Sequence, residues 1–277
     1  MKKKQYGFKT LTYLLLLLMI AIAVFPAVWM VSTSIKETTE LYDMPPEIIP
    51  DHPTAANYGN VLQTSKMYTA FFNSVLVTGA VVILTLLISV LAGYGLSRFR
   101  FKGHRLMRLV LLFGQMVPGV VLVIPLYFMF SSMHLLDTLP ALIIADMALT
   151  IPMGVIMLSS FLQTVPRQLE EAARIDGTTQ IGALFRVVLP IAKPGLISVA
   201  IYTFIHAWEE FLFALNLTVS GTKRTLPIAI STFAGEFSVD WGATMAAAAI
   251  VALPVLLLFL SCNRYFVQGL AEGAVKG

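Results

Sequence analysis

Long stretches without charged residues alternate with shorter polar segments along this chain. No Asp, Glu, Lys or Arg occurs at the 26 positions between Lys9 and Lys36, or at the 31 positions between Lys66 and Arg98. A helix needs about 20 apolar residues to cross the hydrocarbon core of a bilayer. Each of these two stretches is therefore long enough to span a membrane.

Six apolar segments can be delimited, and together they predict an all-α membrane protein with six transmembrane helices. Their approximate ranges are 11–34, 67–97, 109–130, 140–162, 196–219 and 241–263. The start of the chain, with Lys2 to Lys4 before a leucine run, also resembles a secretory signal peptide. The apolar run continues well past Ala23, which favours a retained helix over a cleaved one.

The composition agrees with a membrane protein. Hydrophobic residues make up 57% of the chain and charged residues only 12%, whereas soluble domains carry about a quarter of charged residues. The single cysteine, Cys262, excludes an intrachain disulfide and a cysteine metal cluster.

The basic residues indicate an orientation. If the N-terminus is cytoplasmic, 15 of the 19 lysines and arginines lie on the cytoplasmic side, as the positive-inside rule requires. Both termini are then cytoplasmic. This predicts an N-terminal tail and first helix over 1–35 and an extracytoplasmic loop over 36–66. A transmembrane domain over 67–266 and a cytoplasmic tail over 267–277 follow.

A polar, charged segment separates the fourth and fifth apolar segments, at Glu170–Gly195 within a predicted cytoplasmic loop over 166–195. Residues 168–176 suit a helix, Gly177 permits the turn that ends it, and a second helical stretch over 179–189 stops at Pro190. This pattern predicts two short helices joined at a glycine, to which a partner protein docks. The residues alone leave an ordinary solvated loop equally open.

Motifs for catalysis are absent from the sequence. It contains no phosphate-binding loop, no dinucleotide-binding glycine pattern and no zinc-protease motif, and its four histidines have no metal-ligand spacing. We therefore expect no enzyme activity, no bound metal and no cofactor. The net charge of +4 is explained by membrane topology, so no nucleic-acid partner is predicted.

A few polar and aromatic residues fall inside the apolar segments. Charged groups in a bilayer are costly and usually line a pathway or face the bundle interior. Candidates for the translocation pathway are Asp146, Trp208, Glu209, Glu210 and Phe211. The alternatives are hydrogen bonds between helices for the acidic residues and packing for the aromatic ones.

One long motif resembles a known family. The sequence Glu171-Ala172-Ala173, followed by Gly177 and then by Leu189-Pro190, is similar to the EAA loop of ABC importer permeases. The blocks at 93–103, 207–212, 224–227 and 265–277 resemble the maltose-type carbohydrate permeases of that family. One departure is Glu209, where the family usually has asparagine.

The resemblance implies a permease that forms a heterodimer with a second permease subunit. Two ATPase subunits on the cytoplasmic face would use ATP and Mg, and an extracytoplasmic solute-binding protein would deliver the solute. The EAA loop would couple this chain to the ATPases. The residues implied in that coupling are Glu170, Glu171, Ala172, Ala173, Asp176, Gly177, Leu189 and Pro190.

We therefore expect a subunit that imports a sugar or oligosaccharide across the bacterial cytoplasmic membrane, in contact with membrane lipid. A sugar phosphate or a polyol is the alternative solute. A channel or secondary transporter that works without an ATPase is the alternative class of protein.

Overall fold

Helices form nearly all of the regular structure. The computed structural model describes residues 2–233, 235 and 239–274, of which 2–8, 10, 65 and 263–274 are described by their backbone alone. The helices are α1 Lys2–Ser34, α2 Ala56–Gln63, α3 Ser65–Arg98, α4 His104–Met116, α5 Gly119–Ser132, α6 Leu139–Thr164, α7 Arg167–Ile175, α8 Gln180–Ala183, α9 Leu189–Ile191, α10 Lys193–Trp208, α11 Leu212–Leu217, α12 Leu226–Ser231 and α13 Trp241–Ala274. A 3₁₀ turn at Glu40–Tyr42 and a π-helical turn at Leu184–Val188 complete the set.

The predicted all-α membrane fold is confirmed, but two of the six predicted spans are not continuous helices. Four helices are long and apolar enough to cross a membrane: α1, α3, α6 and α13. The third span is the pair α4 and α5, bent by 98°. The fifth begins after an 80° bend between α9 and α10, and α10 ends at Trp208. The described residues thus contain four such helices, or up to six spans if each bent pair counts as one.

Proline explains the bend between α4 and α5. Pro118 lies in extended conformation directly before α5, and its ring excludes the helical conformation for the residue before it. Val117, with φ −77° and ψ 118°, is accordingly extended. The apolar pattern continues across this break, so hydropathy alone did not locate it.

The chain divides into two compact units. In the first, which comprises residues 1–67 and 230–253, Asn57 holds the end of α1. Its side-chain amide donates to the carbonyl oxygens of Ser34 at 3.0 Å and Lys36 at 2.9 Å. Gly242 packs so closely on Asn57 that a Cβ there would lie 2.8 Å from its side chain.

The apolar part of α1 is exposed. None of its most apolar window is buried, and side chains such as Leu17 and Ile22 are exposed. Such a surface is stable only in lipid or against another apolar helix.

The second unit comprises residues 68–229 and 254–277 and contains two apolar clusters. One joins α3, α5, α6 and α11, with Val81, Phe130 and Phe213 fully enclosed. The other joins α3 and α6 to the loop after α7 through Leu158, Leu184 and Val188. The second cluster therefore fixes that loop to membrane-spanning helices.

A loop between α5 and α6 is held by a carboxylate outside the spans. The Asp137 carboxylate accepts hydrogen bonds from the backbone N–H groups of Val219 and Ser220, both at 2.9 Å, and from the Ser220 hydroxyl. The Ser220 N–H is the main cause that lowers the pKa of Asp137 below its usual value. The group is therefore charged at neutral pH.

Gly154 lies where α3, α6 and α10 meet. A Cβ at this position would stand 2.5 Å from Ser89 Oγ, 3.2 Å from Thr85 Cγ2 and 3.3 Å from Val199 Cγ1. Small residues at such points let membrane helices approach closely.

Substitution of Gly154 tests this contact. We expect Gly154→Ala to lower the stability of the purified protein by about 1–3 kcal/mol, because the added methyl group overpacks three helices. Gly79→Ala in α3 is the matched control, since a Cβ there meets nothing within 4 Å. Thermal unfolding in detergent measures both. Equal shifts in the two variants would contradict the packing.

Candidate coupling loop and translocation residues

The helix α7 is the first part of the predicted coupling loop, and it ends at a glycine as predicted. Gly177 has φ +89°, a conformation that glycine adopts without strain. The N–H of Thr178 donates to the carbonyl of Ala173 at 3.1 Å, and the N–H of Gly177 donates to that of Arg174 at 3.1 Å. These two bonds form a Schellman motif, which stops the helix and turns the chain.

A buried ion pair fastens α7 to the end of α3. Glu170 is 8% exposed, and one of its carboxylate oxygens accepts a hydrogen bond from the Nε of Arg98. The other accepts from the Tyr94 hydroxyl at 2.9 Å. Arg98 also donates to the carbonyl of Val165 at 3.0 Å. The first turn of α7 is therefore held by charge and hydrogen bonding to a membrane-spanning helix.

The rest of the loop packs into the second apolar cluster. Thr179 caps α8, and its hydroxyl oxygen accepts from the N–H of Gly182 at 3.1 Å. The π-helical turn and α9 then bury Leu184, Val188 and Leu189. Leu189, one of the predicted coupling residues, thus belongs to the core of the unit, whereas Pro190 is exposed.

One face of the loop is exposed to solvent. Glu171, Ala172 and Asp176 are exposed, and Ala173 is partly exposed. Three large apolar side chains that were not among the predicted coupling residues are also exposed on this loop. Ile175 is 85% exposed, Ile181 67% and Phe185 52%. We call the exposed residues Glu171, Ala172, Ile175, Asp176, Ile181 and Phe185 the docking face. Apolar side chains exposed on a charged loop are typical of protein-binding surfaces.

Asp146 is buried in α6, at 4% exposure. Its carboxylate has no hydrogen-bond or ion-pair partner among the described residues. The alternative role considered above, an interhelical hydrogen bond, is therefore not seen in the described part of the chain.

Glu209 and Glu210 differ in their surroundings although they are adjacent. The Glu210 carboxylate accepts hydrogen bonds from the N–H groups of Phe213 at 2.6 Å and Ala214 at 2.9 Å, and so holds the first turn of α11. Glu209 is exposed at the end of α10, and its side chain has no partner among the described residues. Glu209 is therefore the carboxylate of this pair that is free to meet a solute.

The two aromatic candidates also differ. Trp208 is 2% exposed and stacks on Phe204 with ring centroids 5.5 Å apart. Phe211 is 39% exposed. Only Phe211 presents a ring surface that a solute could reach. In the described part of the chain, no three His, Cys, Asp or Glu side chains are placed to hold a metal ion.

These features define a multi-pass helical membrane protein with an exposed loop between α6 and α10. Residues 85–272 match the family of binding-protein-dependent transport system inner membrane components. The chain belongs to this family.

Several relatives match over nearly their whole length. The chain is 37% identical to the sulfoquinovosyl glycerol transport system permease protein SmoH of Agrobacterium fabrum, over 97% of this chain and 94% of that protein. It is 35% identical to the diacetylchitobiose uptake system permease protein DasC of Streptomyces coelicolor, over 92% of each. It is 34% identical to the trehalose transport system permease protein SugB of Mycobacterium tuberculosis, over 94% and 95%.

Solved structures share the fold. A chain of a bacterial ABC transporter involved in the import of the acidic polysaccharide alginate superposes with a TM-score of 0.85 at 21% identity, over 95% of this chain and 98% of that one. A chain of the MetNI methionine ABC transporter superposes with a TM-score of 0.59 at 16% identity, over 78% and 99%. The fold is thus that of an ABC importer permease.

The ion pair between Arg98 and Glu170 can be tested against its exposed neighbour. We expect Glu170→Gln to destabilise the protein by about 3 kcal/mol, because it leaves the Arg98 guanidinium buried without a counter-charge. Glu171→Gln is the matched control, since Glu171 is exposed and one residue away. Thermal unfolding and the rate of proteolysis within the loop measure both. If Glu171→Gln is the more damaging change, the buried pair does not hold α7.

A second pair of variants tests the roles of the adjacent glutamates. Glu210→Ala should cost about 1–3 kcal/mol of stability, since two N–H groups lose their acceptor. Glu209→Ala should change stability by less than about 0.5 kcal/mol. Unfolding of the purified protein in detergent checks both values, and a large loss from Glu209→Ala would show that this side chain is structural.

Proposed function

We propose that this chain is the permease subunit of an ATP-driven importer that carries a sugar or oligosaccharide across the bacterial inner membrane. The observation that carries the proposal is the docking face, held rigidly on a membrane-spanning helix by the ion pair between Arg98 and Glu170. A transport subunit without an energy source of its own needs such an element, because work done elsewhere must reach its membrane helices.

The docking face would contact a partner ATPase in the cytoplasm, with both termini of the chain on the same side. Ile175, Ile181 and Phe185 would enter an apolar cleft, while Glu171 and Asp176 would make ionic contacts at its rim, the usual arrangement of a protein interface. Ala172 and Gly177 would permit close approach. ATP and Mg would be bound by the partner and not by this chain.

A carbohydrate substrate is supported by the relatives, whose names refer to sulfoquinovosyl glycerol, diacetylchitobiose and trehalose. A second permease and a solute-binding protein would complete the transporter. Within this chain, Glu209 would accept hydrogen bonds from sugar hydroxyl groups, and Phe211 would pack on a sugar ring. Asp146 is buried, so it would meet the solute only after the helices around it move. Trp208 would support Phe204 from behind instead of touching the solute.

Substitutions on the docking face are expected to reduce transport. In the complete transporter, Glu171→Lys should reduce sugar uptake at least about tenfold, because it reverses a charge at the interface. Membrane insertion and thermal stability should be unchanged, since Glu171 is exposed. Gly177→Asp should also reduce uptake, but with some loss of stability, because the φ of +89° at this position strains any side chain although the space around it is open.

The control is Glu37→Lys, which makes the same charge change at an exposed position outside the loop. Uptake of the radiolabelled sugar and ATP hydrolysis by the reconstituted transporter are measured together. Normal uptake in both loop variants would refute the coupling role. Uptake that persists when the ATPase subunits are removed would instead identify a secondary transporter or channel.

A further inference from the structure

A basic cavity lies where α3 and α6 end, beside the start of α7. Its volume is about 520 Å³. Five basic side chains line it: Arg98, Arg100, His104, Arg108 and Arg167. Among the described residues, no aspartate or glutamate lines this cavity. Its walls therefore favour an anion.

Most of this positive charge is uncompensated. Arg98 is neutralised by Glu170, and Arg167 donates only to the backbone carbonyl of Arg98, at 3.2 Å. Arg100 and Arg108 have no hydrogen-bond or ion-pair partner in the part of the chain that the structure describes. Three guanidinium groups thus face one cavity without a carboxylate to balance them. Guanidinium groups bind phosphate oxygens through paired N–H donors.

An apolar groove adjoins the cavity. It has a volume of about 150 Å³, shares Leu96 and Arg108 with the cavity, and runs between α4 and α6, where Leu112 and Ile156 line it. The neighbouring surface of α4 is apolar and open, with Val110 60% and Phe113 62% exposed. In a membrane protein, a surface of this kind lies against acyl chains.

We propose that the cavity binds the phosphate headgroup of an anionic phospholipid, with one acyl chain in the groove between α4 and α6. The two parts of the site match the two parts of such a lipid, and basic pockets between membrane helices are known to hold anionic headgroups. A soluble phosphate would use the arginines but leave the groove empty, which favours the lipid. The proposal does not depend on the identity of the transported solute.

The site would link lipid composition to coupling. The headgroup would touch Arg98 and Arg167, which hold the first turn of α7 through Glu170 and the Arg98 carbonyl. A bound lipid would therefore stabilise the contacts that hold α7, and with it the docking face, against α3.

The test compares two double variants of the same charge. Arg100→Gln with Arg108→Gln removes two arginines that line the cavity. Lys102→Gln with Arg105→Gln removes two exposed charges from the same segment that do not line it. The complete transporter is purified from nanodiscs made of equal parts phosphatidylglycerol and phosphatidylcholine, and retained lipid is identified by native mass spectrometry.

We expect the unaltered transporter and the Lys102/Arg105 variant to retain phosphatidylglycerol over phosphatidylcholine. The Arg100/Arg108 variant should lose this preference by about thirtyfold, given the contribution of each of the two basic residues near an anionic surface. An equal loss in both variants would reveal diffuse surface charge and overturn the site, as would no loss in either.

Two further measurements keep the alternatives apart. If the Arg100/Arg108 variant keeps its phosphatidylglycerol but loses its ATPase subunits on purification, the cavity belongs to the ATPase interface and the lipid proposal is wrong. If glycerol phosphate displaces the retained lipid completely at equal concentration, the groove contributes nothing and a soluble anion is the ligand.

Discussion

The ion pair between Arg98 and Glu170 joins the end of the membrane-spanning helix α3 to the first turn of α7. On the surface of a protein such a pair would contribute little. Here both side chains are mostly buried, at 6% and 11% exposure. Loss of either partner therefore leaves the other as an unpaired charge buried away from water. The direction in which α7 presents its exposed residues therefore depends on this contact, and so does the shape of the basic cavity beside it.

Much of the fold could be predicted from the sequence because the bilayer allows few structures. Apolar length located four continuous helices and the two bent pairs, and Gly177 located the end of α7. Hydropathy did not reveal the 98° bend, since an apolar run continues through a bend as readily as through a straight helix. The second loop helix was predicted to stop at Pro190, but α9 includes that proline and the 80° bend follows it. No comparable signal marked the end of α10 at Trp208.

The position of the loop between α6 and α10 was predictable from the sequence, but the direction in which its side chains point was not. Glu170 and Glu171 are adjacent, and a helix turns by about 100° between neighbours, so one is buried while the other is exposed. The sequence does not show which of the two glutamates is buried, because burial depends on the contact with Arg98, 72 positions earlier. The exposure of Ile175, Ile181 and Phe185 could not be predicted either. Apolar residues are usually expected in the core, and only the structure shows that Leu184, Val188 and Leu189 fill the core of this loop instead.

The two hydrogen bonds from Phe213 and Ala214 to Glu210 have a mechanical consequence. Any movement that separated Glu210 from α11 would have to break both bonds at once in a place poor in water, so Glu210 and α11 travel as one rigid body. Glu209 lies at the junction between α10 and α11, and its own side chain makes no such contact among the described residues. Of two adjacent carboxylates, one thus fixes the chain and the other leaves its charge exposed.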